Sequence, residues 1–303
     1  MRKTSFRLAA VVAAATLTLA ACGDDGGDTG DADATDDQAA AEDDAATDDD
    51  AAEDEAAAGD ADGIIIGTKF DQPGLGLMGS DGTPTGMDVD VAKAIAEKLG
   101  YSEDQIEWKE SISSAREDLL ESGQVDMIVA TYSITNERKQ RVQFAGPYFV
   151  AGQDLLVASD SDITGPDDMG DAILCSVTGS TSAARVNEEY GVALQEYGSY
   201  SECMEALSSG SIDALTTDDT ILAGFAAQEE YAGNFKVVGN PFSEENYGIG
   251  LSKESEDCEA INEAITELWE DGTMEQIIED NLGAADYTAN ADLNPPEAGG
   301  HCG

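Results

Sequence analysis

The stretch SGQVDMIVATYSITNERK, residues 122–139, carries a turn, a short apolar strand and then hydroxyl-bearing residues that end in Arg138 and Lys139. A second stretch, SGSIDALTTDDT at 209–220, repeats the plan: a Ser-Gly turn, an apolar-Asp pair, an apolar strand, and polar groups at the strand's carboxyl end. Open α/β sheets bind ligands at that end of their strands, so the echo predicts two αβ lobes offering polar groups to one shared site. Thr135 has the character of an N-cap, which places Arg138 in the first turn of a helix. A cation there meets the positive pole of the macrodipole and is disfavoured unless an anion joins it. The alternatives are a guanidinium that points to solvent and one that waits for a negative ligand.

Working outward, Ile64, Ile65 and Ile66 read as a buried strand ending at Lys69, followed by the glycine-rich stretch DQPGLGLMGSDGTPTG at 71–86. Asp88 is expected to cap a helix whose apolar face is Val89, Ala92, Ile95, Ala96 and Leu99, stopped by Gly100. IEW, a helix running to Leu120, and VDMIVA complete the first set. After VQFAGPYFVAGQDLLVA a second set begins: the strand DAILCSV, the loop TGSTS, a helix through Val186, another around Met204 to Leu207, and the strand IDALTT. A helix through Phe225, the strands FKVVG and YGIGL, and helices near 261–269 and 274–282 complete the pattern. Strands alternating with helices predict an α/β fold of two lobes, each a mostly parallel sheet with helices on both faces.

The ends of the chain read differently. MRKTSFRLAAVVAAATLTLAAC has a basic start and an apolar run too short to span a bilayer, the pattern of a secretory signal. LAAC at Leu19–Cys22 resembles the bacterial lipoprotein box, so residues 1–21 are expected to be removed and Cys22 lipidated, against the alternative of an ordinary cleavage site. Residues 23–62 are almost entirely Asp, Glu, Ala, Gly and Thr, and no Lys or Arg lies between Arg7 and Lys69. Such a segment cannot bury a core, and 22–62 is expected to be a disordered acidic tether. It contains no calcium-loop pattern. With 64 acidic against 14 basic residues and a net charge of −50, nucleic acid is excluded as a partner on electrostatic grounds.

Setting Cys22 aside, Cys175, Cys203, Cys258 and Cys302 suggest two disulfides in one of three connectivities. The economical pairing joins Cys175 with Cys203 and Cys258 with Cys302. A zinc site is the rival, but no CxxC occurs and the sole histidine, His301, sits in the tail 284–303.

Three polar clusters ask for a common purpose. Ser133, Thr135 and Arg138 can hold a carboxylate by paired hydrogen bonds. The turn Gly179-Ser180-Thr181-Ser182, between a strand and a helix, can present backbone N–H groups and hydroxyls to the same anion. Asp218 and Asp219 suit an ammonium group. A ligand bearing both charges would bridge the lobes.

The motifs GMDVDVAKAIAEKLG, GQVDMIVATYSITNERK, FAGPYF, GSTS and IDALTTDDTIL, in this order, resemble the family 3 bacterial extracellular solute-binding proteins. These are the substrate-receiving components of ABC importers for amino acids, and the resemblance is nearest to glutamate-binding lipoproteins of Gram-positive actinobacteria. It covers 64 to about 282. It implies a type II, periplasmic-binding-protein-like fold of two lobes, 64–152 with 245–283 and 153–244, joined by two crossing strands and closing by hinge motion.

The resemblance also implies roles. Arg138, with Ser133 and Thr135, matches the clamp on the ligand α-carboxylate; Thr181 and Ser180 match the second lobe's groups for it; Asp218 matches the acid that receives the α-ammonium. Arg116 matches an arginine used on a side-chain carboxylate, and Lys69 stands where many members carry an acid. Two cations favour an ionised carboxylate, and a neutral glutamine side chain would leave one poorly paired. L-glutamate is therefore the expected ligand, with L-aspartate second and glutamine as an alternative. The competing view of Arg116 is a surface residue paired with Glu117 or Glu121, and Arg185 could also face the cleft. Ser113 stands where the family places an aromatic ring, so Phe70, Tyr132 or Tyr148 is expected to cover the ligand. With no histidine in the lobes and the cysteines paired, no catalytic apparatus, cofactor or metal is expected. The expected protein is a monomer, lipid-anchored on the outer face of the cell membrane, that delivers its amino acid to a membrane permease; a ligand-sensing receptor module is the alternative.

Overall fold

The computed structural model describes residues 63–303; Cys22 and the expected tether lie outside them. In chain order the strands are β1 (Ile64–Thr68), β2 (Asp71–Gln72), β3 (Gly76–Met78), β4 (Pro84–Thr85), β5 (Ile106–Glu110), β6 (Met127–Ile128), β7 (Gln143–Ala151), β8 (Gln153–Ala158), β9 (Ile173–Val177), β10 (Ala193–Tyr197), β11 (Ala214–Asp218), β12 (Phe235–Val237) and β13 (Glu245–Leu251). The α-helices are α1 (Met87–Lys98), α2 (Arg116–Glu121), α3 (Thr181–Arg185), α4 (Tyr200–Ser208), α5 (Asp219–Ala226), α6 (Cys258–Glu270) and α7 (Thr273–Leu282).

Two five-stranded sheets result, ordered β5-β1-β6-β13-β7 and β10-β9-β11-β8-β12, with β2, β3 and β4 forming a small third sheet inside the glycine-rich stretch. The expectation of mostly parallel sheets needs refinement. In each large sheet the β1- or β9-centred pairs are parallel, while every pair involving β7, β8 or β13 is antiparallel. The physical reason is connectivity: β7 runs into β8 through Gly152 alone, and the chain returns from β12 to β13, so these strands cross between sheets instead of following a βαβ crossover. A Cβ on Gly152 would stand 2.6 Å from Pro241 Cβ, so the two crossings pack against each other there.

The internal echo has a common structural basis. The Asp126 carboxylate accepts the Ile65 N–H at 2.7 Å, and the Asp213 carboxylate accepts the Ile173 N–H at the same 2.7 Å. Each apolar-Asp pair thus ties its strand to the start of the strand beside it.

In α1, Met87, Val91 and Ile95 are buried along one face, the periodicity expected of a helix laid on a sheet. Asp88 is not its cap, contrary to the expectation from sequence. Gly86 occupies that position at φ 131°, where a Cβ would lie 2.2 Å from the Leu75 carbonyl oxygen. Asp88 falls inside the first turn, buried, and accepts the Tyr148 hydroxyl at 2.6 Å. The strand expected over VDMIVA shortens to Met127–Ile128; the Val129 N–H still reaches the Gly67 carbonyl, and the extended run is over by Thr131, which adopts φ 46°.

Both favoured disulfides, Cys175–Cys203 and Cys258–Cys302, are formed. The second fastens the tail to α6. From there the tail runs along the outer edge of β7: the Phe144 N–H reaches the His301 carbonyl and the Gly299 N–H reaches the Gly146 carbonyl. An edge strand that would otherwise present unpaired backbone groups is covered.

Candidate functional site

Thr135 accepts the Arg138 N–H at 3.1 Å, so the expected side-chain cap exists. The segment it caps is a three-residue 3-10 turn, Arg138–Gln140, not an α-helix. No aligned run of peptide dipoles develops over three residues, so the macrodipole argument for an anion does not apply. The guanidinium is fixed by other means. Nη1 donates to the Ser133 carbonyl at 2.8 Å, Nη2 donates to the Gly179 carbonyl at 3.2 Å, and Nε lies 3.3 Å from a Glu117 oxygen. Ser133 and Gly179 belong to opposite lobes, so Arg138 spans the cleft. Lys139 is half-buried, and Arg141 is exposed and pairs with Asp118 and Glu121.

The lobes meet closely around this residue. The Ser133 and Thr181 hydroxyls are 3.4 Å apart across the cleft. A Cβ on Gly179, which sits at φ 80°, would stand 2.8 Å from Ser114 Cα, and one on Gly224 would stand 2.0 Å from the Pro73 carbonyl oxygen. Only glycine permits either approach.

Between the lobes, Arg116, Arg138, Ser180, Thr181, Asp218 and Tyr200 line a narrow cavity with free room of ≈ 10 Å³, about that of a single water. That is far below the roughly 300–1,000 Å³ of ligand pockets, so an amino acid is accommodated only with the lobes further apart than they stand here. The cavity opens into a wider cleft bordered by Ser113, Glu117, Thr135 and Arg185.

Arg116 is 2 % exposed, and no acid lies within ion-pair distance of it among the described residues. Its Nε has no hydrogen-bond partner. Burial, reinforced by the charge of Arg138, pushes its pKa down from the ordinary value. The alternative of a surface residue paired with Glu117 or Glu121 does not hold, since Glu117 pairs with Arg138 and Glu121 with Arg141. Asp218 caps the start of α5 in backbone conformation, accepts the Tyr247 hydroxyl at 2.7 Å and stands 3.5 Å from the Ser182 hydroxyl. Burial first, and the negative charge of Glu245 second, push its pKa well above the usual carboxylate range. An unpartnered cation and a destabilised anion therefore share one cavity.

Lys69 behaves differently from Arg116. It is buried, its Nζ lies 2.9 Å from Asp71 Oδ1, and it stands 5.9 Å from the centroid of the Tyr200 ring. The Lys69–Asp71 contact is close but poorly directed for a hydrogen bond, so it acts as a charge pair. Desolvation lowers the Lys69 pKa and the Asp71 charge offsets part of that. Lys69 does not line the cavity.

The three aromatic candidates do not line it either. Tyr148 is committed to Asp88, and Phe70 is half-buried outside the lining. Tyr132 lies beneath the site: its ring centroid is 4.9 Å from Arg116 Cζ and 4.8 Å from Arg138 Cζ. The aromatic residue that does line the cavity is Tyr200, the first residue of α4, whose pKa burial pushes up to about 12. The usable signal was Ser199 with Glu202, a capping box that marks where α4 begins. Gln72 and Thr131 also line the cavity and carried no such signal. Arg185 borders the wider cleft and is held by Gln153 at 3.1 Å and Glu245 at 3.0 Å.

Residues 64–284 match the model of the bacterial extracellular solute-binding proteins, family 3. The chain is 43 % identical to the glutamate-binding protein GluB of Corynebacterium glutamicum over 93 % of its own length and 92 % of that protein's. It is 39 % identical to the ABC transporter glutamine-binding protein GlnH of Bacillus subtilis over 72 % and 80 %. Among solved structures, an ancestral arginine-binding protein bound to glutamine superposes with a TM-score of 0.67 and 35 % identity, covering 74 % of this chain and 99 % of that one.

Proposed function

The chain belongs to the bacterial extracellular solute-binding proteins of family 3, and from that premise we propose that it captures L-glutamate outside the cell and delivers it to a membrane permease. The observation that carries the choice of ligand is Arg116, a guanidinium buried in the cavity with no acid within ion-pair distance among the described residues. Lys69 is balanced by Asp71 and Arg138 by Glu117. Among the described residues that line the cavity, one positive and one negative group remain, Arg116 and Asp218. The side-chain carboxylate goes to Arg116 and the α-ammonium to Asp218. The α-carboxylate goes to the N–H groups of Arg138 that face the cavity, with Ser180 and Thr181 beside them. A neutral side chain would leave a buried charge without compensation, at a cost of roughly 1–3 kcal/mol or more. Ser133 and Thr135 support the clamp from behind: the first through its carbonyl, the second through the cap.

Glutamine is the second reading, favoured by the likeness to the glutamine-binding protein GlnH of Bacillus subtilis. Calorimetric titration of the purified protein with L-glutamate, L-aspartate and L-glutamine separates the two. Glutamate binding tighter than glutamine by tenfold or more supports the first reading, and equal or tighter glutamine binding overturns it. Attachment through a lipid on Cys22, with the acidic segment as a spacer, belongs to the same proposal. Mass spectrometry of the membrane-associated protein tests it, and an unmodified Cys22 in the mature chain sinks it.

A further inference from the structure

Glu117 sits on α2 directly after Arg116, yet the two side chains go to different places. Arg116 enters the cavity, whereas one oxygen of Glu117, Oε1, accepts the Tyr132 hydroxyl at 2.8 Å and lies 3.3 Å from Arg138 Nε. The Tyr132 ring is in turn within 5 Å of the Cζ atoms of both Arg138 and Arg116. A single carboxylate oxygen therefore joins the ring that both guanidinia contact to the guanidinium of Arg138.

This pair is not an ordinary surface ion pair, whose contribution is small because water screens it. The Arg138 and Glu117 side chains are 9 % and 14 % exposed. The other two anchors of Arg138 are neutral backbone carbonyls, one of them, Gly179, on the opposite lobe. When the lobes separate that anchor leaves, and among the described residues Ser133, Glu117 and the Tyr132 ring hold the guanidinium. Glu117 meets the Nε edge as an ion pair without hydrogen-bond alignment, and the Tyr132 ring that it anchors lies 4.8 Å from Arg138 Cζ; a carboxylate clamp depends on the plane that the two hold.

We propose that Glu117 is the positioning residue of the α-carboxylate clamp: through Oε1 it locks the plane of Arg138 and the ring of Tyr132 before a ligand arrives. The proposal rests on the amino-acid-binding reading above. The shared α-carboxylate makes a specific demand. Loss of Glu117 must weaken every α-amino-acid ligand by a similar factor, since Glu117 makes no direct contact with Asp218 and meets Arg116 only through the Tyr132 ring and at a distance through its charge.

The test is calorimetric titration of L-glutamate and L-glutamine into the wild-type protein, Glu117→Ala, Glu117→Gln and Tyr132→Phe, with the fold of each checked by circular dichroism. Expected are a loss of about tenfold or more for both ligands in Glu117→Ala, an unchanged glutamate-to-glutamine ratio, and recovery to within about threefold in Glu117→Gln, which keeps an acceptor for the Tyr132 hydroxyl. Tyr132→Phe, which keeps the ring, is expected to weaken both ligands by a smaller factor. An affinity in Glu117→Ala equal to wild type, a loss confined to glutamate, or a Glu117→Gln variant no better than Glu117→Ala overturns the proposal. Should Glu117→Ala fail to fold, Glu117→Gln and Tyr132→Phe decide: a Glu117→Gln variant tenfold or more weaker, or a Tyr132→Phe variant of unchanged affinity, overturns it. A wild-type protein that binds no amino acid removes the functional reading and this proposal together; one that binds while the variants do not differ removes this proposal alone.

Discussion

Asp71 Oδ2 accepts the backbone N–H of Tyr200, the first residue of α4, at 2.9 Å across the interlobe cleft. An anion thus meets the amino-terminal end of a nine-residue helix, where unpaired N–H groups and the dipole both favour negative charge. The other Asp71 oxygen faces Lys69. The contact with Tyr200 exists only while the lobes are together, so it stabilises the closed form.

Replacing Asp71 by Ala removes one charge-assisted hydrogen bond and leaves Lys69 without its anion. We expect ligand affinity to fall roughly tenfold, about 1.4 kcal/mol, chiefly through faster release. Stopped-flow dissociation measures this, and an unchanged release rate would count against a closing role.

Arg138→Ala should abolish detectable binding of every amino acid. Arg116→Gln should instead reduce glutamate affinity by about tenfold or more while leaving glutamine within about threefold, because only the side-chain carboxylate loses its partner. Lys69→Met should weaken both ligands alike, through Asp71. Equal losses of glutamate and glutamine in Arg116→Gln would remove the basis for the choice of ligand.

Burial and Glu245 hold the Asp218 carboxyl well above its ordinary pKa, so in the empty site it retains a proton to higher pH than usual. An arriving ammonium favours the ionised form, and binding must therefore release protons and tighten as pH rises through that range. Titrations in buffers of different ionisation enthalpy should show this release in the wild type. The Asp218→Asn protein should show none.

Asp88 is fully buried and burial raises its pKa from 3.8 to about 6, with the Tyr148 hydrogen bond opposing the shift. A raised folded value means that Asp88 favours the folded state fully below about pH 4, and that this contribution is lost as pH climbs through 6. The amount is on the order of 3 kcal/mol. Asp219, also raised to about 6 by burial, acts in the same window. Thermal unfolding of Asp88→Asn between pH 4 and 7 should therefore show a flatter profile than wild type, though not a level one.

The Cys258–Cys302 bridge closes a span of 44 residues and holds the tail on the edge of β7. Cys302→Ser should lower stability by up to roughly 4 kcal/mol on loop-entropy grounds and raise amide exchange at Phe144, whose N–H bonds the His301 carbonyl. Unchanged exchange at Phe144 would show that the tail stays in place without its bridge.

Much of this molecule is legible in its residues. The two αβ sets, the strand-end hydroxyls, the paired Asp126 and Asp213 turns and the disulfide pairing all depend on spacing along the chain, and spacing is what periodicity and turn residues record. Arg138, Arg116, Thr181, Ser180 and Asp218 stand out in the sequence and line one cavity. The ion pairing was not legible. Arg116 and Glu117 are neighbours in the chain but diverge, one to an unpartnered position in the cavity and the other to Arg138. Lys69 is taken by Asp71 instead of standing beside Arg116. Which charge meets which depends on side-chain directions and on residues brought from the other lobe, and at separations of roughly 3–5 Å a small rotation exchanges one partner for another. Sequence determines where each charge is mounted, but only the packed lobes decide which of them is left for the ligand.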